Sequence, residues 1–265
     1  MSSANGSGEA TAIRSVVTAL RALEELSRSP LGVSELSRVL GVPKTTAHRS
    51  LKTLEQAGWV RPSEDRTKWV LTGRPLTVGL AGSVEGNLRE LARAELIRLR
   101  DATGETIHLV IPDSPDLVVV ARVDGTKSLR TFLPLGIHAP MHATASGRAL
   151  LSAMTDAEVA EVLDVGLAQF TPSTLHDRKE ILEEIERTRE RGYALNAAEW
   201  RSDIAAIGVA ILSRVGVPVA ALAVSMPLSR YEQSDQAAVA DLAKSAARRI
   251  SDQLQDWQQG ETWLG

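Results

Sequence analysis

Between Ser37 and Leu54 the chain carries Arg38, Lys44, Arg49 and Lys52 and no aspartate or glutamate. Cations without carboxylates beside them are suited to contact with a polyanion. On a helix, Thr45, Arg49 and Lys52 share one side, flanked by Thr46 and His48, while Ala47, Leu51 and Leu54 share another. Lys44, beside the free N–H groups of a helix start, suits a phosphate. Thr45, Thr46, His48 and Arg49 are candidates for base edges. Arg49 is the foremost of them, because its guanidinium fork matches O6 and N7 of guanine. Lys52, Arg66 and Lys68 are expected on phosphates. A solvated basic face on an ordinary helical hairpin is the plainer alternative.

Other chemistry is sparse. The five histidines, His48, His108, His138, His142 and His176, show no metal-ligand spacing, and cysteine is absent. No metal or cofactor is expected. Ser146 lacks the Gly-x-Ser-x-Gly setting of a hydrolase nucleophile. No glycine-rich phosphate loop follows a strand pattern. For His142 a structural hydrogen bond is the better expectation.

The elements that must position the basic face are legible around it. Ser34 is a cap for a first short helix whose apolar side is Leu36, Val39 and Leu40. Gly41 stops that helix. Pro43 opens the second, where its missing N–H costs nothing. Gly58 ends the second helix, and residues 60–62 and 69–71 flank a polar loop as a hairpin would. Two helices, a tight turn and a hairpin make a winged helix-turn-helix. An earlier amphipathic helix through Ile13, Val16, Val17, Leu20, Leu23 and Leu26 packs on it and offers a surface for dimerisation. Arg14, near its start, is a possible phosphate contact.

Residues 1–10 read as a flexible arm, 11–72 as the winged helix-turn-helix and 73–87 as a glycine-rich linker. Residues 88–259 form a second domain, and 260–265 a tail. Asn87 and Glu90 cap the helix that follows the linker. Strands are expected at 106–111, 117–123 and 129–133, then a loop over 140–147 and a helix at 146–154. Thr155 and Glu158 cap another helix. A charged helix over 177–191 turns Ile181, Leu182 and Ile185 inward and stops at Gly192. Strands at 204–212 and 217–224 precede a last helix capped by Ser234 or Asp235. The order predicts an α+β domain with a largely antiparallel sheet.

The net charge of −3 hides an asymmetry: residues 1–80 carry +4 and residues 81–265 carry −7. Polyanion contact is therefore confined to the front. No leader and no apolar run of membrane-spanning length is found. A cytoplasmic protein is expected.

The chain resembles the IclR family of bacterial transcriptional regulators. Four stretches carry the likeness: residues 33–54, with Val42-Pro43-Lys44-Thr45-Thr46; residues 134–151, with Pro134-Leu135-Gly136 and Ala145-Ser146-Gly147-Arg148; Arg191-Gly192-Tyr193 with Glu199; and residues 207–223 into Pro227. The resemblance implies a C-terminal effector domain of the GAF/profilin-like kind. It also implies a homodimer or homotetramer on double-stranded operator DNA and a small organic effector, commonly a carboxylate or aromatic compound. Matching positions put Ala145, Ser146, Asn196, Ile204, Ala206, Ala223 and Ser225 around the effector. Asn196 stands where an acid is common, and Ala206 and Ala223 are small, so a roomier, less polar pocket is implied. The function expected is a ligand-responsive repressor, in which the 72–86 connection transmits a ligand-dependent shift in DNA affinity. A small-molecule-metabolising enzyme with an appended helical domain is the alternative.

Overall fold

A computed structural model describes residues 12–81 and 84–261. The arm expected at 1–10 and residues 262–265 of the expected tail lie outside them. The chain divides into two compact units between Ser83 and Val84.

The first unit contains α1 (Arg14–Arg28), α2 (Val33–Leu40), α3 (Lys44–Gln56), β1 (Val60–Pro62), β2 (Trp69–Leu71) and α4 (Arg74–Ala81). Leu36, Leu40, Ala47, Leu51, Leu54, Ala22 and Leu26 close its core over Val60 and Trp69. Gly41 adopts φ +67° between α2 and α3, a left-handed conformation that glycine reaches without strain. Three expectations change. Gly32, not Ser34, caps α2, and its N–H donates to Glu35 Oε2 at 2.8 Å. Val39 is 49 % exposed, because two turns bury one stripe only, through Leu36 and Leu40. Most of the expected linker is helical: Pro75 lies in the first turn of α4, where it breaks no bond, and Thr77 Oγ1 donates to Gly73 O at 2.9 Å. On α1, Ile13, Val16, Val17 and Leu20 remain exposed.

The second unit begins with α5 (Val84–Thr103), so the helix is already formed where Asn87 was expected to cap it. Six strands follow in one antiparallel sheet of order β5-β4-β3-β8-β7-β6. They are β3 (Thr106–Asp113), β4 (Asp116–Val123), β5 (His138–Pro140), β6 (Ala194–Ala197), β7 (Ile204–Leu212) and β8 (Pro218–Pro227). Alternation assigns the two faces. Ile107, Leu109, Ile207, Leu222 and Val224 pack with α5 and α10 (Gln236–Glu261). Val110, Leu117, Val119 and Ala221 face α6 (Ala145–Ala153), α7 (Asp156–Asp164) and α8 (Arg178–Arg191). Thr155 and Glu158 form the expected capping box, Gly192 stops α8 at φ +77°, and Asp235 accepts from Ala238 N at the start of α10.

The expected strand at 129–133 is absent. Its carbonyls are taken by side chains instead of a neighbouring strand: Thr131 O accepts from Thr106 Oγ1, Leu133 O from Arg122 and Leu129 O from Arg230. The edge strand beside β4 is instead β5, which ends at Pro140, where the expected loop begins. β6 and the one-turn helix α9 (Leu228–Tyr231) were not expected. Leu182 is 43 % exposed, since Ile181 and Ile185 fill the buried stripe of α8. No helix among the described residues is long and apolar enough to cross a membrane.

Candidate nucleic-acid interface and ligand cavity

The face of α3 opposite its buried stripe presents Thr45 and Arg49, with Lys44 and His48 exposed beside them and Thr46 half-buried. Arg49 and Thr46 also border a groove against Val16 and Leu20 of α1. Lys52 differs from the rest. Glu55 lies one turn further on, just past the carboxylate-free stretch, and pairs with Lys52 Nζ at 2.7 Å, while Trp69 stacks beneath it at 5.5 Å. Its charge is partly spent within the protein. Arg66 and Lys68 project from the exposed wing between β1 and β2. The wing is shaped by Asp65, which sequence reasoning did not single out. Its carboxylate accepts from Ser63 Oγ at 2.6 Å, from Thr67 Oγ1 at 2.7 Å and from Thr67 N at 3.1 Å. Those bonds, the Ser63 hydroxyl foremost, hold its pKa at about 2. Of the two acids in the wing, Glu64 and Asp65, the second is thereby turned to structural use.

A cavity lies on the sheet face beneath α6. A concave, largely apolar lining with a few polar groups suits a small organic molecule. Its walls bring together all seven of Ala145, Ser146, Asn196, Ile204, Ala206, Ala223 and Ser225. They also include Thr144 and residues not assigned to the site from the sequence: His108, Trp200 and Arg201, and the apolar Val110, Leu117, Val119, Leu133 and Ala139. The small floor is formed by Ala206 and Ala223, on β7 and β8. Arg201 lies over the Trp200 ring at 4.9 Å and has no carboxylate partner among the described residues.

The roof is held by specific contacts. Thr144 caps α6, accepting from Gly147 N at 3.1 Å and donating to Pro140 O at 2.9 Å. A Cβ on Gly208 would stand 2.4 Å from the Ala145 carbonyl, so only glycine lets the start of α6 rest on β7. Asn196 donates to Ala143 O at 2.7 Å, a use of this side chain as a strut for the loop. Arg148, wholly buried on α6, reaches Glu199 through Nη1 at 2.5 Å and Nη2 at 2.7 Å, and also donates to Leu195 O. Thr171 and Thr174 donate to Ala198 O and Glu199 O. They fix the loop bearing Trp200 and Arg201 although Ala198 sits at φ +62°. His142 bonds to Ala168 O at 3.0 Å and packs on Phe170, the structural role expected of it.

His108 is the unusual wall residue. It is buried, its Nδ1 meets Ser225 Oγ at 3.0 Å, and its Nε2 has no partner among the described residues. Burial, and then the nearby Arg122, push its pKa from 6.5 down to about 4 against the smaller opposing effect of Asp124. The imidazole is therefore neutral near pH 7. Protons bind the unfolded chain first as pH falls, so this contribution to stability is complete above about pH 6.5 and is lost on the way to 4. The expected loss is about 2–3 kcal/mol. Urea melts from about pH 7.5 to 4.5 should show a shallower acid slope for His108→Phe than for the unaltered protein. Equal slopes would refute the assignment.

Residues 15–64 match the IclR helix-turn-helix domain, and residues 83–252 match the bacterial transcriptional regulator IclR C-terminal domain. The chain belongs to the IclR family. The HTH-type transcriptional repressor AllR of Escherichia coli K12 is 31 % identical over 246 residues, 92 % of this chain and 90 % of AllR. The crystal structure of Thermotoga maritima IclR superposes with TM-score 0.73 at 27 % identity, covering 91 % of this chain and 98 % of that one. An IclR homologue from Microbacterium hydrocarbonoxydans, complexed with 4-hydroxybenzoate, gives TM-score 0.79 at 23 % identity, over 90 % and 98 % of the two chains, a likeness of fold. As an IclR-family member the protein is a DNA-binding transcriptional regulator rather than an enzyme, with the two-domain α+β layout of that family.

Proposed function

We propose that the protein is a cytoplasmic repressor that is released from its operator by a small organic acid. The observation that carries this reading is the cavity itself. It combines apolar walls, the N–H groups at the start of α6 and an Arg201 guanidinium without a carboxylate partner, three features that suit an organic carboxylate. The 4-hydroxybenzoate held by the Microbacterium homologue supports the same class of ligand. Thr45, Thr46, His48 and Arg49 read the major groove, and Lys44, Arg66, Lys68 and, to a lesser degree, Lys52 contact phosphates. The exposed Ile13, Val16, Val17 and Leu20 of α1 support pairing of two copies, which would present two recognition helices to a palindromic site.

The test is binding of purified protein to its own upstream DNA, titrated with salt and then with aromatic and aliphatic acids. Specific binding should weaken steeply with salt, and an acid that binds the cavity should release the DNA. Arg49→Ala is expected to cost about 1–3 kcal/mol of operator affinity and to relax selectivity at one base pair, whereas Lys68→Ala should lower affinity evenly and shallow the salt slope. Operator affinity indifferent to salt, to Arg49 and to every acid tried would overturn the reading.

A further inference from the structure

Resting on the reading of the cavity as an organic-acid site, the geometry points to His108 as its specificity determinant. We propose that its free Nε2 hydrogen-bonds a neutral polar group, a hydroxyl or a carbonyl, on the part of the ligand remote from the carboxylate. The preferred ligand is then a hydroxy- or oxo-substituted aromatic acid and not a plain one.

Three observations lead there. First, His108 shares the cavity with the apolar Val110, Leu117, Val119, Leu133 and Ala139, and the one polar group bonded to its ring is Ser225, at Nδ1. A leucine or phenylalanine would fill such a place without leaving a polar atom unpaired. Retaining an imidazole there breaks the rule that buried polar atoms are satisfied, and such breaches concentrate at functional sites. Second, the ring is oriented. Ser225 Oγ holds Nδ1 at 3.0 Å, and the hydroxyl can give or take the proton of that bond. Nε2 is left as an acceptor or a donor accordingly, and so matches a hydroxyl in one tautomer and a carbonyl in the other. The imidazole is neutral, so its partner need not be an anion.

Third, the spacing fits. Gly208 of β7, Ala223 of β8 and His108 of β3 are successive partners across the sheet. The start of α6 rests on Gly208, so it stands two strand spacings, about 10 Å, from His108 along the sheet. One aromatic ring bearing a carboxylate at one end and a hydroxyl at the other bridges that interval. The small side chains of Ala206 and Ala223 leave the floor between the ends clear for it.

The experiment compares benzoate with its 3- and 4-hydroxy derivatives by calorimetry on the full-length protein. Alongside it, ¹⁵N spectra of the His108 ring are recorded with each acid. The better-placed hydroxyl should tighten binding about tenfold, shift the Nε2 resonance and leave benzoate without that shift. In His108→Phe the ratio between hydroxylated and plain acid should fall to about one. Should that variant not fold, the acid pairs and the ring spectra on the unaltered protein decide the matter. Equal affinities for plain and hydroxylated acids, with Nε2 unmoved, would overturn the role of His108 while leaving the organic-acid reading intact. Failure of all the acids to bind would overturn that reading and this inference together.

Discussion

Glu199→Leu is expected to destabilise the C-terminal unit by about 3–5 kcal/mol, seen as a lower urea midpoint with unchanged m-value. Arg148 is the reason. Its side chain is 1 % exposed, and two of its nitrogens end on the Glu199 carboxylate. Its Nε has no partner among the described residues, Leu195 O is a neutral acceptor, and Glu184, the other carboxylate that feels its charge, is already bonded to Arg187 and Arg191. Removing the carboxylate therefore leaves a guanidinium charged and dry. The pair as a whole contributes far less than this, since both ions were taken out of water to make it. Arg148→Met combined with Glu199→Leu should accordingly recover most of the loss. A single-variant loss below about 1 kcal/mol would mean that water reaches Arg148 freely. Glu199 immediately precedes Trp200 and Arg201, so the single variant should also weaken binding of any acid that occupies the cavity.

Gly208→Val should cost about 3 kcal/mol or more, although valine favours strands. A Cβ there would lie 2.4 Å from the carbonyl carbon and oxygen of Ala145 and 2.6 Å from Ser146 N, all backbone atoms that no rotamer change can move aside. The start of α6 must lift from β7, which carries its N–H groups away from the ligand. Stability and acid binding should therefore fall together. Ala210→Val, two residues along the same strand and face, serves as the control for strand propensity. Equal effects of the two substitutions would refute the contact.

The recognition helix was legible because its signals are local. Gly41, Pro43 and the four- and three-residue spacing of Ala47, Leu51 and Leu54 all lie within a few turns of one another. The cavity residues taken from the family likeness do converge on one cavity, whereas the partners that give the site its character are remote in sequence. Ser225 is 117 residues from His108, and Glu199 is 51 from Arg148. No periodicity reports such pairs. β5 and β6 escaped for a different reason. Each is three or four residues long, and His138-Ala139-Pro140 and Ala194-Leu195-Asn196-Ala197 contain no β-branched residue. Conversely, residues 129–133 look like a strand but lose their carbonyls to Thr106, Arg122 and Arg230. The pairing of Lys52 escaped notice because Glu55 stands one residue beyond the window free of acids.

The alanine floor has a consequence for how such a protein changes over time. The contacts that hold the roof, Arg148 with Glu199, Gly208 with Ala145 and Asn196 with Ala143, do not involve the side chains of Ala206 or Ala223. Adding a hydroxyl, a thiol or a methyl at either position alters what fits inside without loosening what encloses it. Retuning toward a new inducer is thus a matter of one or two atoms on a fixed frame. The same two positions are where a laboratory selecting a biosensor for a chosen acid should begin its library.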